Sequence, residues 1–584
     1  MSYGPTLPIS EEIHKMKYRG DGETFKEAMA RIADALKDDE DHFSTLKDIL
    51  YNMRFLPAGR VQSAMGAPRT VTPYNCFVSS TIEDSMEGIS KATAEAAKTM
   101  QLGGGIGYDF SSLRPRGSLI RSLESRSSGP VSFMSVFDAW CKTISSAGHR
   151  RGAQMGVMRV DHPDIEEFIS SKTNTHNLTQ FNISVGVTDE FMWAVVNDGE
   201  FDLKFEGRVY KTVRAKALWD KILRNTWDWA EPGILFIDRI NAKNNLWYCE
   251  SIAATNPCGE QPLPPYGACL LGSFNLTKYI EKSEYGWENP TGLGFNTDKF
   301  IRDIKHVVRA MDNVVDRAVY PLPQQEEEAK SKRRMGLGVT GVANAIEAMG
   351  HPYGSEDFIL QLENIMSVLR DCCYKTSTEL AKEKGPFPLF DVKLLDSGFA
   401  KTLPDNIREN IRTYGLRNSH LLSVAPTGTI SLAADNISSG IEPVFSHQYT
   451  RTIQTYEGPV EEAVEDYGLR VFGVKGRTAN ELSVFDHVKV LTTASKFVDS
   501  ACSKTCNVGS DVSWDDFKNV YMEAYTGGAS GCTTFRVDGK RHGILSSSSQ
   551  EDVAEKPVQE DNGDFIDEGG ACYYDPSTGL RSCE

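Results

Sequence analysis

Apolar residues recur at helical spacing near the start of the chain and in shorter, mixed runs after it. The segments EEIHKM and FKEAMARIADALKDD each carry one apolar stripe, which predicts amphipathic helices within residues 1–54. From Phe55 onward, short apolar runs alternate with helical patterns and glycine-rich turns. This alternation is typical of α/β proteins, so we expect an α/β domain preceded by N-terminal helices.

Six elements stand out in this alternation. The spacing predicts helices over 84–101, 162–171 and 300–318 and strands over 181–187, 420–426 and 531–537. The stretch GLGVTG at 336–341 matches the spacing of a dinucleotide-binding turn. The residues before it, EEEAKSKRRM, cannot form the buried strand that such a turn requires. We therefore interpret these glycines as close packing at the start of a helix.

Composition narrows the class of protein without identifying it. The chain has 584 residues, 40% of them apolar, and a net charge of -17, which argues against a nucleic-acid-binding surface. No apolar run has the length of a signal peptide or a membrane span, so we expect a cytoplasmic protein without membrane contact. Twelve cysteines are few for a disulfide scaffold of this size and favour buried or catalytic thiols. We expect no metal site.

The segment NPCGEQPLPPYGAC at 256–269 has the most telling chemistry. It places an amide, a thiol and a carboxylate at alternate positions, Asn256, Cys258 and Glu260, with a second thiol at Cys269. Alternate side chains of an extended backbone point the same way, so the three groups should converge on one small volume. Together they suggest radical or redox chemistry. The alternative is a proline-rich loop with a chance cysteine.

Two glycine-containing segments are candidates for binding phosphate. PTGTIS at 426–431 follows a strand-like run and offers hydroxyls and unhindered backbone N–H groups, where a helix start would add attraction for an anion. AGHRRG at 147–152 is a basic loop suited to nucleotides. The alternatives are an ordinary helix cap for the first and a solvated surface loop for the second.

The composition changes after Leu545. Residues 546–571 are polar and acidic and poor in large apolar side chains, which predicts a flexible linker. It leads to residues 572–584, where Cys572 and Cys583 flank a Pro/Gly turn. A tethered dithiol could reach another site of the protein at high effective concentration. The alternative is an unstructured terminus with incidental thiols.

Taken together and in chain order, these segments resemble the catalytic subunit of ribonucleotide reductase. The motifs that carry the resemblance are FLPAGR, YNCFV, DSMEGI, GGGIGYDFSSLRPRG, GHRRGAQMGVMRVDHPDIEEF, FNISVGVTDEFM, NPCGEQPLPPYGAC, RRMGLGVTGVANA, APTGTIS, SSGIEP and GCTTFR. The residues of these motifs are most similar to those of class II, the adenosylcobalamin-dependent enzymes. The resemblance implies a ten-stranded α/β barrel over 55–545, made of two five-stranded parallel halves around a central finger loop.

The resemblance assigns roles to the reactive residues. Cys258 would carry the thiyl radical at the tip of the finger loop. Cys76, in YNCFV, and Cys269 would reduce the substrate and become a disulfide. Asn256 and Glu260 would hold and deprotonate the ribose hydroxyls. The tail pair, Cys572 and Cys583, would reduce that disulfide after each turnover.

It also implies binding sites and partners. The substrate site would include Thr427, Gly428, Thr429 and Ser63, and the effector site would include Asp84, Ser85, Arg121 and Arg150. The substrates would be ribonucleotides, the effectors dNTPs or ATP, and the external reductant a thioredoxin or glutaredoxin-type protein. We expect a homodimer, with a monomer as the alternative. Residues 1–54 do not resemble the nucleotide-binding cone of many relatives, so on/off control by dATP is not expected.

The class depends on strand 531–537. A class I subunit, which needs a separate metal-containing radical generator, should carry two adjacent tyrosines here. This chain has Cys532, Thr533, Thr534 and Phe535 instead, and its one Tyr-Tyr pair lies in the tail. We find no glycyl-radical segment of class III. Class II is therefore the prediction, class I the alternative, and an inactive nucleotide-binding homologue a third hypothesis that the complete reactive set disfavours.

Overall fold

The computed structural model describes residues 3–120, 124–146, 150–151, 153–173, 177–283, 291–455, 458–536, 539–540, 573–574 and 581–582. The helices are α1 Pro8–Tyr18, α2 Phe25–Leu36, α3 Glu40–Tyr51, α4 Gly59–Ala64, α5 Met86–Gln101, α6 Pro130–Thr143, α7 Ile165–Ser170, α8 Asp189–Val196, α9 Ala215–Trp229, α10 Ile237–Lys243, α11 Thr297–Arg317, α12 Pro323–Lys332, α13 Val342–Ala348, α14 Glu356–Lys384, α15 Asp405–Tyr414, α16 Gly428–Ala433, α17 Val484–Ser495 and α18 Trp514–Thr526. The strands are β1 Phe55–Pro57, β2 Cys76–Val78, β3 Gly105–Asp109, β4 Leu119–Ile120, β5 Ser125–Arg126, β6 Ser145–Ser146, β7 Arg150–Arg151, β8 Gln154–Arg159, β9 Phe181–Val187, β10 Glu200–Phe205, β11 Arg208–Arg214, β12 Gly233–Phe236, β13 Ala254–Thr255, β14 Pro262–Leu263, β15 Ala268–Cys269, β16 Leu271–Asn275, β17 Ile280–Lys282, β18 Leu293–Phe295, β19 Gly336–Thr340, β20 Gln448–Thr455, β21 Gly458–Glu465, β22 Thr505–Val508, β23 Gly531–Arg536, β24 Tyr573–Tyr574 and β25 Arg581–Ser582.

The largest sheet has eight strands in the order β15-β2-β3-β8-β9-β12-β23-β22. From β2 to β12 its neighbouring strands run parallel, β23 runs antiparallel to β12, and β22 runs parallel to β23. Strand β9, FNISVGV, is buried along its whole length. Continuous burial is expected of parallel strands that are covered on both faces. The mixed α/β class is therefore confirmed.

A second sheet joins β1, β16 and β19, with β16 and β19 parallel. It continues through two isolated parallel bridges, Leu337 to Leu422 and Val424 to Cys502. The predicted strand over 420–426 is thus reduced to single bridging residues. Cys502 lies just before β22, so the bridges run from the smaller sheet towards the edge of the larger one.

The predicted helices are found with shifted starts. Helix α5 begins at Met86 because Ser85 caps it, accepting a hydrogen bond of 3.0 Å from the Gly88 N–H. Helix α7 starts at Ile165, since the backbone from His162 first makes a turn. Helix α11 begins earlier than predicted, at Thr297, after the cap Asn296. Within the described ranges, no helix is long and apolar enough to cross a membrane.

The glycine motif at 336–341 is a strand, β19, and not a helix start. The sequence did not predict this strand, because a dinucleotide-binding turn requires a strand before its glycines and the residues before these glycines form the polar helix α12. Here the glycines themselves form the strand. The prediction of close packing holds, because a Cβ at Gly338 would lie 2.2 Å from the Ser423 carbonyl oxygen. Helix α13 follows after Gly341, whose φ of +70° only glycine adopts readily.

A hairpin of β13 and β14 lies directly on β3. It pairs Ala254 with Leu263 and Thr255 with Pro262. A Cβ at Gly107 of β3 would lie 1.9 Å from the Thr255 carbonyl oxygen. Only a residue without a side chain allows this approach, so Gly107 sets the distance between hairpin and sheet.

We expect Gly107→Ala to lower the free energy of unfolding by about 1–3 kcal/mol, since backbone must move to admit the methyl group. The matched control is Gly186→Ala on β9, where the nearest atom would lie at 3.8 Å. Urea unfolding followed by circular dichroism measures both. Equal stability of the two variants would contradict the close contact.

Candidate active site

The tip of the β13–β14 hairpin is a tight loop that closes on itself. The Asn256 N–H donates to the Gln261 carbonyl at 3.2 Å, and the Gly259 N–H donates to the Asn256 carbonyl at 3.0 Å. The Asn256 side-chain oxygen accepts from the Gln261 N–H at 2.9 Å. Gly259 has a φ of +82°, which permits the reversal between Cys258 and Glu260. The segment is a turn, not the extended backbone that the alternation suggested.

Three contacts hold this tip from two sides. The Asn182 amide on β9 donates to the Pro257 carbonyl at 3.3 Å. On the other side, the Ser423 hydroxyl and the Ala501 N–H donate to the Glu260 carbonyl at 2.9 and 3.0 Å. The tip is therefore anchored through backbone groups, which sets the direction of the Cys258 and Glu260 side chains.

Cys76 and Cys269 are direct neighbours across two antiparallel strands. Strand β2 pairs with β15 so that their Cα atoms oppose each other, and both side chains are thiols. Opposed residues of such a pair have Cα atoms about 4.5–5.5 Å apart, within the range that a disulfide spans. The register therefore permits reversible oxidation of this pair.

The electrostatics indicate that the reactive groups share one small volume. Burial raises the pKa of the Cys269 thiol well above its ordinary value, and the charges of Glu260, Cys76 and Cys258 raise it further. Because a raised thiol pKa favours the protonated form, Cys269 is a neutral thiol at neutral pH. The amide Nδ2 of Asn256 is also buried and has no hydrogen-bond partner within the described residues.

A cavity of about 1130 Å³, counting its part open to solvent, adjoins these groups. Cys76, Cys258 and Glu260 line it, as do Ser63 and the segment 427–429. Asn256 and Cys269 are fully buried and lie outside its lining. The structure thus brings the predicted substrate residues to the same cavity as two of the three reactive cysteines.

Within segment 427–429, Thr427 has a structural task. Its φ is +56°, an uncommon value for a side-chain-bearing residue, and its hydroxyl holds the turn. That hydroxyl accepts from the Gly440 N–H at 2.7 Å and lies 2.8 Å from the Thr340 hydroxyl. Gly428 and Thr429 follow at the start of α16, so an anion here would meet their backbone N–H groups.

Three cations that line the cavity were not predicted from the sequence: Lys17, Arg60 and Arg69. Lys17 comes from helix α1, which was assigned only to an N-terminal helical segment. Arg60 belongs to the motif FLPAGR, which could have suggested it. No sequence signal identified Lys17 or Arg69, because their positions at the cavity depend on how α1 and the turn after α4 pack.

Asp84 and Ser85 lie away from the cavity. Asp84 accepts hydrogen bonds from the Arg114 backbone N–H at 3.1 Å and from its Nε at 2.7 Å, and Ser85 caps α5. Neither lines the cavity. Arg121 and the side chain of Arg150 lie outside the described residues, as do Cys572, Cys583 and the linker 546–571.

Comparison with known families agrees with this geometry. The family described as ribonucleotide reductase, barrel domain, matches residues 74–535. The match covers most of the chain and includes Cys76, Cys258, Glu260 and Cys269. The chain belongs to the ribonucleotide reductase family.

Three relatives of this chain are named as vitamin B12-dependent enzymes. A vitamin B12-dependent ribonucleoside-diphosphate reductase of Thermoplasma acidophilum is 32% identical over 96% of this chain and 74% of its own length. A protein of the same name from Mycobacterium tuberculosis is 34% identical over 87% of this chain and 73% of its own length. A vitamin B12-dependent ribonucleotide reductase of Streptomyces coelicolor is 28% identical over 83% of this chain and 58% of its own length.

We expect a mild oxidant such as diamide to form a Cys76–Cys269 disulfide in the folded protein, since their strands place them opposite each other. Peptide mass spectrometry under non-reducing conditions identifies the crosslink. Cys141, which is equally buried and has a raised pKa, is the control and should remain a thiol. Absence of the Cys76–Cys269 crosslink, or equal oxidation of Cys141, would contradict the register.

Proposed function

We propose that this protein reduces ribonucleotides to 2′-deoxyribonucleotides by thiyl-radical chemistry. The observation that carries the proposal is the convergence of Cys258, Glu260 and Cys76 on one cavity, with Cys269 opposite Cys76. Family membership agrees with it. A thiol, a base and a dithiol are the groups that this reduction requires.

Each group has one task in the proposed reaction. The thiyl radical of Cys258 removes the 3′-hydrogen of the ribose, and Glu260 takes the 3′-hydroxyl proton as general base. The 2′-hydroxyl leaves as water, taking its second proton from the thiol pair. Cys76 and Cys269 supply two electrons and become a disulfide, and their second hydrogen goes to C2′. Glu260 returns its proton to the 3′-oxygen, and Cys258 returns the hydrogen to C3′ and so becomes a thiyl radical again. The buried amide of Asn256 would hold a ribose hydroxyl.

We propose adenosylcobalamin as the cofactor, since the three relatives are named as vitamin B12-dependent. When bound, it supplies the radical equivalent that Cys258 needs. The residues present fit a diffusible cofactor: Cys258 reaches the cavity, and β23 carries Thr533 and Thr534 where class I has two tyrosines. One buried phenol, that of Tyr521, lies 2.8 Å from the Thr534 hydroxyl, but no adjacent pair stands on this strand.

Two further features are part of the proposal. Two relatives are named ribonucleoside-diphosphate reductases, which favours diphosphates as substrates. The effector site would use Asp84 and Ser85, at the start of α5, together with Arg121 and Arg150, with dNTPs or ATP as effectors. We also propose a homodimer formed through this helix.

A closed ten-stranded barrel is the architecture we propose. The order β16, β19, 421–424, β22, β23, β12, β9, β8, β3, β2 returns to β16 through β15, which directly precedes it. Leu270 lies between β15 and β16, and its carbonyl accepts a hydrogen bond of 2.7 Å from the N–H of Gly336 in β19. This hydrogen bond supports the closed order of strands. The β13–β14 hairpin would then be the finger loop in the centre.

We also propose that Cys572 and Cys583 form a tethered reductant served by a thioredoxin or glutaredoxin-type protein. Strand β25 of the tail lies against α16, the helix that starts at the cavity, and Cys583 follows β25 in sequence. This proximity supports access of the tail to the Cys76–Cys269 disulfide.

An anaerobic assay with dithiothreitol tests the proposed function. The purified chain with adenosylcobalamin alone should form deoxynucleotides. Cys258→Ser, nearly isosteric, should lower turnover to below about 1% of wild type with little change in nucleotide affinity, because a hydroxyl does not replace a thiol in radical transfer. Turnover by the variant above a few per cent would contradict the role of Cys258. Activity that needs a di-metal partner protein in place of the cobalamin would favour class I.

The tail gives a separate prediction. Cys572→Ser/Cys583→Ser should complete one turnover from the pre-reduced state, because Cys76 and Cys269 still hold two electrons. Multiple turnover with thioredoxin should fall at least about tenfold, whereas dithiothreitol should restore part of it, since a small thiol enters the cavity. The amount of deoxynucleotide formed per enzyme, measured without reductant, with thioredoxin and with dithiothreitol, distinguishes single turnover from multiple turnover. Normal cycling with thioredoxin would mean that the tail cysteines are incidental.

A further inference from the structure

The cavity has an uneven distribution of charge. Four charged side chains line it: the carboxylate of Glu260 and the three cations Lys17, Arg60 and Arg69. The chain as a whole has a net charge of -17. A cavity with more cations than anions in so acidic a protein is suited to an anionic ligand.

Helix α1 brings Lys17 to the cavity. Two backbone N–H groups before the helix, those of Thr6 and Leu7, donate to Asp435 at 2.6 and 3.0 Å. Within the helix, the Ser10 hydroxyl donates to the Leu432 carbonyl at 2.6 Å. Leu432 belongs to α16, so the helix carrying Lys17 is fixed to the helix that begins at segment 427–429.

The other end of α1 is joined to the two arginines. The Tyr18 ring packs on Gly59, where a Cβ would lie 2.7 Å from it, and Gly59 directly precedes Arg60. Arg69 donates through Nε to the Ser63 carbonyl at 3.0 Å and through Nη2 to the Arg19 carbonyl at 3.4 Å. Carbonyl acceptors orient the guanidinium without neutralising its charge.

Arg60 is accommodated by a glycine. A Cβ at Gly103 would lie 2.7 Å from the Arg60 guanidinium, and Gly103 has a φ of +96°. The guanidinium therefore lies flat against the turn after α5 while its side chain lines the cavity. Three cations from three separate segments thus meet at one cavity with the backbone N–H groups of Gly428 and Thr429.

We propose that Lys17, Arg60 and Arg69 bind the terminal phosphate of the substrate and so select nucleoside polyphosphates over monophosphates. The inference rests on the proposed function in taking a ribonucleotide as the ligand. The ribose would lie at Glu260 and Cys258, the first phosphate at 428–429, and the outer phosphate among the cations. Charge-assisted contacts to phosphate are among the strongest polar contacts that proteins make.

The experiment measures occupancy of this cavity without turnover. The purified chain is treated with iodoacetamide, and alkylation of the Cys258 peptide is followed by mass spectrometry against increasing ADP, AMP or adenosine. Because Cys258 lines the cavity, protection reports binding there and not at an effector site. Wild type should be protected by ADP at much lower concentration than by AMP.

Lys17→Met and Arg69→Met should each weaken protection by ADP about tenfold while changing protection by AMP and adenosine little, as expected for loss of one charge-assisted contact. Lys15→Met is the matched control, because Lys15 shares the last turn of α1 with Lys17 but does not line the cavity. It should bind ADP as wild type does. Arg69→Lys, which keeps a charge, should recover part of the loss.

The outcomes are distinct. Unchanged ADP protection in both Met variants would overturn the proposal, and so would an equal loss for all three ligands, since that indicates a damaged cavity wall. Selective loss of ADP protection supports it. If that loss is seen but the cobalamin assay yields no deoxynucleotide, the polyphosphate site stands and the proposed reaction fails.

Discussion

The approach of the Thr255 carbonyl to Gly107 positions the rest of the site. A side chain at Gly107 would hold the β13–β14 hairpin away from β3 and withdraw Cys258 from the cavity. Strand β2 also needs a glycine on β3 in order to pack closely. Gly105 of β3 pairs with Cys76 of β2, and a Cβ at Gly105 would lie 3.2 Å from the Cys76 sulfur. Two positions of one strand thus set the distances among the hairpin tip and the thiol pair. Radical chemistry tolerates little error in such distances.

Burial supplies the second condition. Cys269 is a neutral thiol because its surroundings disfavour charge, so it keeps its proton until chemistry in the cavity demands it. The cations Lys17, Arg60 and Arg69 line the same cavity as Cys76 and Cys258.

The sequence predicted the chemistry of the site better than its geometry. The residue types of Asn256, Cys258 and Glu260 suggested redox chemistry and a convergence of the three side chains, and the structure places Cys258 and Glu260 on one cavity. The reason given for it was wrong: the tip is a turn through Gly259, and Asn256 lies behind the cavity wall. Periodicity located β9 and α5 within two residues. It missed β19, because a buried strand that follows a polar helix has no local signature in the residues before it.

Lys17 shows most clearly why sequence reasoning missed part of the site. In the sequence it is one of two lysines in the last turn of an amphipathic helix, where cations are common because they face the negative end of the helix dipole. The structure distinguishes it from Lys15 because Lys17 lines the cavity and Lys15 does not. The contacts of Thr6 and Leu7 with Asp435, which is remote in sequence, hold the helix in that place. The N-terminal helix is therefore part of the cavity wall, held to α16 by the same residues that follow the phosphate segment.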